Sequence, residues 1–239
     1  MASPPLAHQR DLIRPLLNEN SPQDALAAFY ALHYDPKRIS LTVHMASPER
    51  ADGFLVRGQT GFDLFRPLVT FRAAAEDVAV DLFREGLLRG RPVRLTVPDS
   101  LAQWTFRHLD VSDPQIMRVY TLEPGAFEPT LNVLVTVSRS PEGHPRYEIR
   151  SGQTVHAAAG LNWRSGKFAE VYVYTDPASR GRGWGRSVLS PLVGALLNDR
   201  VRPLYNVEEE NAASIRLAES VGFVDTGYRE FACQAIWQG

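Results

Sequence analysis

The chain carries one cysteine, Cys233, among 239 residues. A single thiol excludes an internal disulfide framework and a cysteine zinc site. The six histidines are scattered without metal-ligand spacing, so no metal is expected. An excess of either charge is also lacking: 26 Lys and Arg against 27 Asp and Glu leave a net charge of −1. That argues against a broadly basic, nucleic-acid-binding surface. Long apolar runs are missing too, because charges or prolines interrupt each one well before the ~20 residues of a membrane span. The opening stretch, MASPPLAHQRDLIRPLLN, lacks the basic start and apolar middle of a secretory signal. These absences lead us to expect a soluble, cytoplasmic protein with no nucleic-acid or membrane partner.

What is present suffices for a packed core: 44% of residues are hydrophobic and 22% charged. Apolar spacing predicts helices at 24–34, 73–88 and 100–109, the second with Val78, Val80, Leu82 and Phe83 on its apolar face, the third capped by Asp99 or Ser100. Strands are predicted at 39–45, 53–58, 68–73, 91–98 and 116–124. The stretch EPGAFEPT at 123–130 has linker composition and divides the chain into domains of residues 1–125 and 126–239. Beyond it come strands near 131–138, 146–150, 153–161 and 168–175, with turns at 140–145 and 163–167. A helix to about 198, a strand at 203–208, a helix at 211–221 closed by Gly222 and a last strand follow. The fold class is α/β with a mixed sheet. The order of elements in 39–124 is met again in 131–235, a pseudo-repeat without residue identity; an unrelated α+β cap is the alternative.

One turn holds an unusual density of glycine and charge. SRGRGWGRS, residues 179–187, stands between a predicted strand and a predicted helix, with Gly181, Gly183 and Gly185 among Arg180, Arg182 and Arg186. No lysine follows these glycines, so a G-x-x-x-x-G-K-[ST] P-loop is excluded. A G-x-G-x-x-G dinucleotide fingerprint is disfavoured, because Arg186 stands where the third glycine belongs. The pattern [RQ]-x-x-G-x-[GA] is met in full. The physics favours an anion. The first amides of a helix have no internal partners, glycine lets backbone approach a diphosphate, and arginines add charge-assisted bonds.

Downstream, YNVEEENAASIRLAESVGF (205–223) places Tyr205 and Val207 on a strand, then Asn211, Ser214 and Leu217 on a helix, then Gly222–Phe223. With the glycine turn at this spacing, roughly residues 150–235 resemble the GCN5-related N-acetyltransferases (GNAT), most closely the FR47-like branch. The resemblance implies a GNAT fold in the C-terminal half. The first half is then a degenerate GNAT-like repeat or a cap. Its matching junction, VTFRAAAEDV, has no glycine, so it would not bind CoA in this way.

The resemblance further implies an enzyme that moves an acetyl or other acyl group from CoA to the amine of a small molecule or amino acid, working as monomer or homodimer. Cofactor-binding residues would be Tyr172, Val173 and Tyr174 of the strand, Arg180, Gly181, Arg182, Gly183, Trp184, Gly185, Arg186 and Ser187 of the turn, and Asn211 and Ser214 of the next helix. A strand amide near Val173 or Tyr174 would face the thioester oxygen. The amine must lose a proton before it attacks, and a carboxylate is the usual base. Glu170 is the first candidate and Glu208 the second; Glu209 and Glu210 suit the solvated start of a helix. The family often has a tyrosine one residue after Leu217, protonating the leaving thiolate; here Ala218 stands there. Tyr172, Tyr174, Tyr205 and Tyr228 are the substitutes, unless none is needed. Loss of that acid leaves a non-catalytic acyl-CoA sensor as the alternative.

Overall fold

The computed structural model describes residues 5–61, 63–140 and 142–239. Met1–Pro4, Phe62 and Pro141, the last within the turn predicted at 140–145, lie outside the described residues. The chain divides into two units, one of Met1–Met117 with Arg229–Gly239, the other of Arg118–Tyr228.

The first unit opens with α1 (Leu6–Ile13) and α2 (Ala25–Ala28), which continues through a π-helical turn at Phe29–His33. β1 (Ile39–Ser47), β2 (Arg50–Gly58) and β3 (Leu68–Ala73) form an antiparallel run, and α3 (Glu76–Gly86) leads to β4 (Pro92–Pro98), which lies parallel to β3. α4 (Ala102–His108) then leads into β5 (Asp110–Leu122), whose last residues enter the second unit. Residues 230–236 pair antiparallel with β4. The core gathers on α3: Val78, Ala79, Leu82 and Phe83 are buried, and Phe83 meets Phe71 edge-on at 5.0 Å. Ala79 therefore faces the core in place of the expected Val80, which is half-buried, because residues four apart share a helix face and Val80 lies about 200° round the axis from Val78. The expected Asp99 or Ser100 cap is not made. A 3-10 turn at Asp99–Leu101 moves the cap positions to Pro98 and Leu101, neither of which makes a side-chain cap bond.

The second unit runs through β6 (Thr136–Arg139), β7 (Pro145–Ser151), β8 (Thr154–Arg164) and β9 (Phe168–Thr175), all antiparallel. α5 (Trp184–Asn198) crosses to β10 (Arg202–Glu208), parallel to β9, and α6 (Ala212–Val221) leads to β11 (Phe223–Ile236). β5 flanks β10 on its other side. The core lies between the sheet and the two helices: Val188, Leu189, Leu192, Val193 and Leu196 of α5 pack on Ala159, Leu161, Ala169 and Val171. Residues 131–135, expected in a strand, form a turn instead. Asn132 accepts from the Leu134 amide through Oδ1 and donates through Nδ2 to Ser187, while Leu131 and Val133 are exposed. The stretch at 123–130 is seated on the helices: Ser190 Oγ accepts from the Thr130 amide, and Phe127 faces Gly194.

Candidate functional site: a parted pair of strands under a glycine turn

The glycine turn begins where β9 ends. Asp176 Oδ1 accepts from the Ala178 amide, Pro177–Ser179 form one 3-10 turn, and Gly181 and Gly183 follow at φ +76° and +71°. That left-handed conformation is open to glycine and strained for other residues. A Cβ on either glycine would meet nothing within 4 Å. Gly185 serves a different purpose. Its Cβ would lie 3.1 Å from Leu217 Cδ2 and 3.2 Å from Thr175 Oγ1, so it seats α5 against α6 and β9. The Gly183 carbonyl accepts from the Ser187 amide at 3.0 Å and from Ser187 Oγ at 3.1 Å. The amides of Trp184, Gly185 and Arg186 belong to the first turn, where no intrahelical carbonyl can reach them. Arg182 stacks over the Trp184 ring at 5.1 Å, and His156 reaches Ser179 Oγ at 3.0 Å from beside the same ring.

Next to this turn β9 and β10 part. They pair at only three levels, Phe168–Arg202, Ala169–Pro203 and Glu170–Leu204. Beyond Glu170 and Leu204 the pairing ends, and a cavity of about 560 Å3 opens between the strands, the turn and α6. Val173 and Thr175 line it from β9, Tyr205 from β10, and Asn211, Ser214 and Leu217 from the start of α6. Of the expected residues, Val173, Arg180, Gly181, Gly183, Trp184, Gly185, Arg186, Asn211 and Ser214 meet there. Thr175 and Leu217 line it as well and had not been singled out as binding residues. The signal for them is periodicity, Thr175 falling two residues after Val173 on a strand and Leu217 one helical turn after Ser214.

Other expected residues sit elsewhere. Side chains alternate along a strand, so Tyr172 and Tyr174 lie on the opposite face from Val173. Tyr172 lies across Gly160, where a Cβ would meet its ring and hydroxyl at 2.6–2.8 Å, and Tyr174 is exposed. Ser187 is buried in bonds to Gly183 and Asn132, and Arg182 is turned onto Trp184. Asn211 caps α6, its Oδ1 accepting from the Ser214 amide at 3.1 Å.

Two polar side chains mark the point where the strands part. Glu170 belongs to the last paired level and projects to the face away from α5 and α6. Its Oε1 accepts from Asn162 Nδ2 at 2.6 Å, and its Oε2 accepts from Trp163 Nε1 at 2.8 Å and Asn206 Nδ2 at 3.3 Å. Burial pushes its pKa up, and the bonds from Asn162 and Trp163 pull it only partly back. Tyr205 is the first residue past the last pair and projects to the helix face. Its Oη lies 2.7 Å from Ser214 Oγ, its ring packs near Phe223, and burial raises its pKa too. Ala218 is fully buried beneath α6. Glu208 is exposed at the end of β10, on the same strand face as Asn206. Glu209 pairs with Arg118 at 3.0 Å. Cys233 is a buried thiol whose pKa burial raises to about 12. Among the described residues no His, Cys, Asp and Glu side chains gather into a metal-binding group, and no helix is long and apolar enough to cross a membrane.

Comparison with known proteins agrees with this geometry. Residues 116–223 match the model of the acetyltransferase (GNAT) family. Among solved structures, a GCN5-related N-acetyltransferase from Sphaerobacter thermophilus is 12% identical with a TM-score of 0.64, the match covering 99% of this chain and 95% of that one. Another from Kribbella flavida is 14% identical with a TM-score of 0.59, covering 90% and 95%. A tandem GNAT protein from the clavulanic acid biosynthesis pathway is 12% identical with a TM-score of 0.58, covering 98% and 94%. No curated protein matches the chain in sequence. The fold is the GNAT fold.

Proposed function

We propose that the protein is an acyl-CoA-dependent N-acyltransferase that transfers an acetyl or related acyl group to the amine of a small molecule. The observation that carries the reading is the parting of β9 from β10 directly beside a left-handed glycine turn that opens a helix. The turn fits a diphosphate. Gly181 and Gly183 leave the space a Cβ would fill, three first-turn amides have no internal partner, and Arg180 and Arg186 supply positive charge. The β10-facing edge of β9, left without a partner strand beyond Glu170, offers an extended edge to the pantetheine arm. CoA would supply an activated thioester. Val173 and Tyr174 are the candidates for a backbone amide donating to its carbonyl oxygen.

In this reading Glu170 takes the proton of the attacking amine, directly or through water. A carboxylate of raised pKa, held by three donors and facing the side of the sheet away from the cofactor cavity, suits that task. Glu208 on the same face is the second choice. The run AEVYVYTDPASRGRGWG supports the FR47-like branch as the home of the C-terminal half. The first unit is read as a degenerate repeat, since β1–β2–β3–α3–β4–α4 reproduces the order and strand senses of β7–β8–β9–α5–β10–α6.

Calorimetric titration with acetyl-CoA tests the reading. Binding at micromolar strength is expected. It should be lost in Gly183→Trp, which puts a bulky side chain at a left-handed position, with the variant's fold checked by circular dichroism. A panel of primary amines with thiol detection then identifies the acceptor. Absence of binding to acetyl-CoA and to longer acyl-CoAs would overturn the assignment.

A further inference from the structure

Aminolysis of a thioester leaves one requirement that Glu170 does not meet. When the C–S bond breaks, the electron pair goes to sulfur, and the thiolate must be stabilised or protonated. Ala218, one residue after Leu217, is fully buried and has no proton to give. The four substitutes, Tyr172, Tyr174, Tyr205 and Tyr228, all lie in the second unit, and their positions separate them. Tyr172 and Tyr174 are on the wrong face of β9, and Tyr228 on β11 is not among the residues lining the cavity. Tyr205 lines it, at the first level past the last β9–β10 pair.

We propose, resting on the acyltransferase reading, that Tyr205 is the proton donor to the leaving thiolate and that Ser214 orients it and returns its proton. Glu170 and Tyr205 stand one level apart where the strands part, on opposite faces of the sheet. Each half of the proton transfer therefore has its own side. As the amine nitrogen bonds to the acyl carbon, Glu170 accepts the amine proton. As the C–S bond breaks, Tyr205 delivers its hydroxyl proton to sulfur, and amide and thiol are released. The phenolate regains a proton through Ser214 Oγ, 2.7 Å away, whose residue is half-buried and reaches the cavity. Glu170 yields its proton to solvent, so no net proton is consumed. Burial supports the assignment by keeping the phenol protonated well past neutrality.

The test compares CoA with acetyl-CoA by calorimetry from about pH 7 to 9.5, a range that spans an ordinary thiol pKa near 8.5. A hydroxyl donating to sulfur favours the bound thiolate, so CoA should bind more tightly as pH rises. Acetyl-CoA has no thiol and should show no such rise. Tyr205→Phe should bind acetyl-CoA as the wild type does, lose the pH-dependent gain for CoA, and lower kcat about 100-fold on any amine the wild type acetylates. Should Tyr205→Phe fail to fold, Ser214→Ala carries the test, with a CoA pH gain weakened relative to its own acetyl-CoA affinity at each pH, and a lower kcat. A wild type without the CoA-specific rise, or variants that keep it with full kcat, overturns the role of Tyr205 and leaves the acyltransferase reading standing. A wild type that binds neither ligand overturns both.

Discussion

Glu170 is held by Asn162, Trp163 and Asn206 in surroundings that favour its neutral form, and this links activity to stability. The sign follows from its raised pKa. Between the ordinary glutamate value, about 4.3, and the higher value in the folded protein, the folded state binds more protons than the unfolded one. Stability from this group is complete at low pH and falls as pH rises through that window. Glu170→Gln removes the ionisation, and a flip of the Asn162 amide gives the new side-chain N–H an acceptor. We expect the variant to melt no lower than wild type at pH 7, the difference shrinking toward pH 4, while acyl transfer drops at least 100-fold. Loss of stability at neutral pH, or retained turnover, would sink the assignment. Glu170 is the first candidate in the sequence because it stands on the strand FAEVYVYT that runs into the glycine turn. Thr175 was not picked out, and Tyr205 was not separable from three other tyrosines. What singles them out is the level at which two parallel strands part, and that depends on pairing partners far apart in the chain.

At the scale of elements, α5 is readable because a glycine turn opens it, and α6 because Gly222 closes it. Gly222 ends α6 at φ +103°, and a Cβ there would lie 2.8 Å from the Ala126 carbonyl oxygen. Gly222→Ala combines left-handed strain with a backbone clash, and we expect a loss of about 2 kcal/mol or more, read as a lower urea midpoint. An unchanged midpoint would show that residues 126–127 are not seated there. The errors at this scale have local causes. Leu131 and Val133 read as strand because their alternation is apolar, yet both are exposed beside the bonds that Asn132 makes. α1 went unread because Ile13 is its only buried residue, leaving no apolar stripe in the sequence. Pro191 lies inside α5, and nothing in the structure explains it.

At the scale of the molecule, the mixed α/β fold followed from alternating strands and helices, and the GNAT resemblance followed from the glycine turn and the helix beyond it. The chain's first unit also lets a parallel pair part early: β3 and β4 are joined only at Leu68–Arg94 and Val69–Leu95. There, however, α3 begins without glycine, and its first-turn Glu76 already meets Arg107 at 2.9 Å and His108 at 2.8 Å. An anion is thus built into the helix start, and Thr70, Phe71 and Val97 beyond the last pair are buried. The parted strands also have a consequence in time. N–H groups of a strand point alternately to its two edges, so every second amide of β9 beyond Glu170 faces the gap without a partner strand. Those amides should exchange with deuterium far faster than their neighbours bonded to β8, and acetyl-CoA should slow them. Exchange along β3 and β4 should stay the same with or without acetyl-CoA. Equal protection at both gaps would mean two binding clefts per chain, and protection at neither would mean that the arm of the cofactor runs elsewhere.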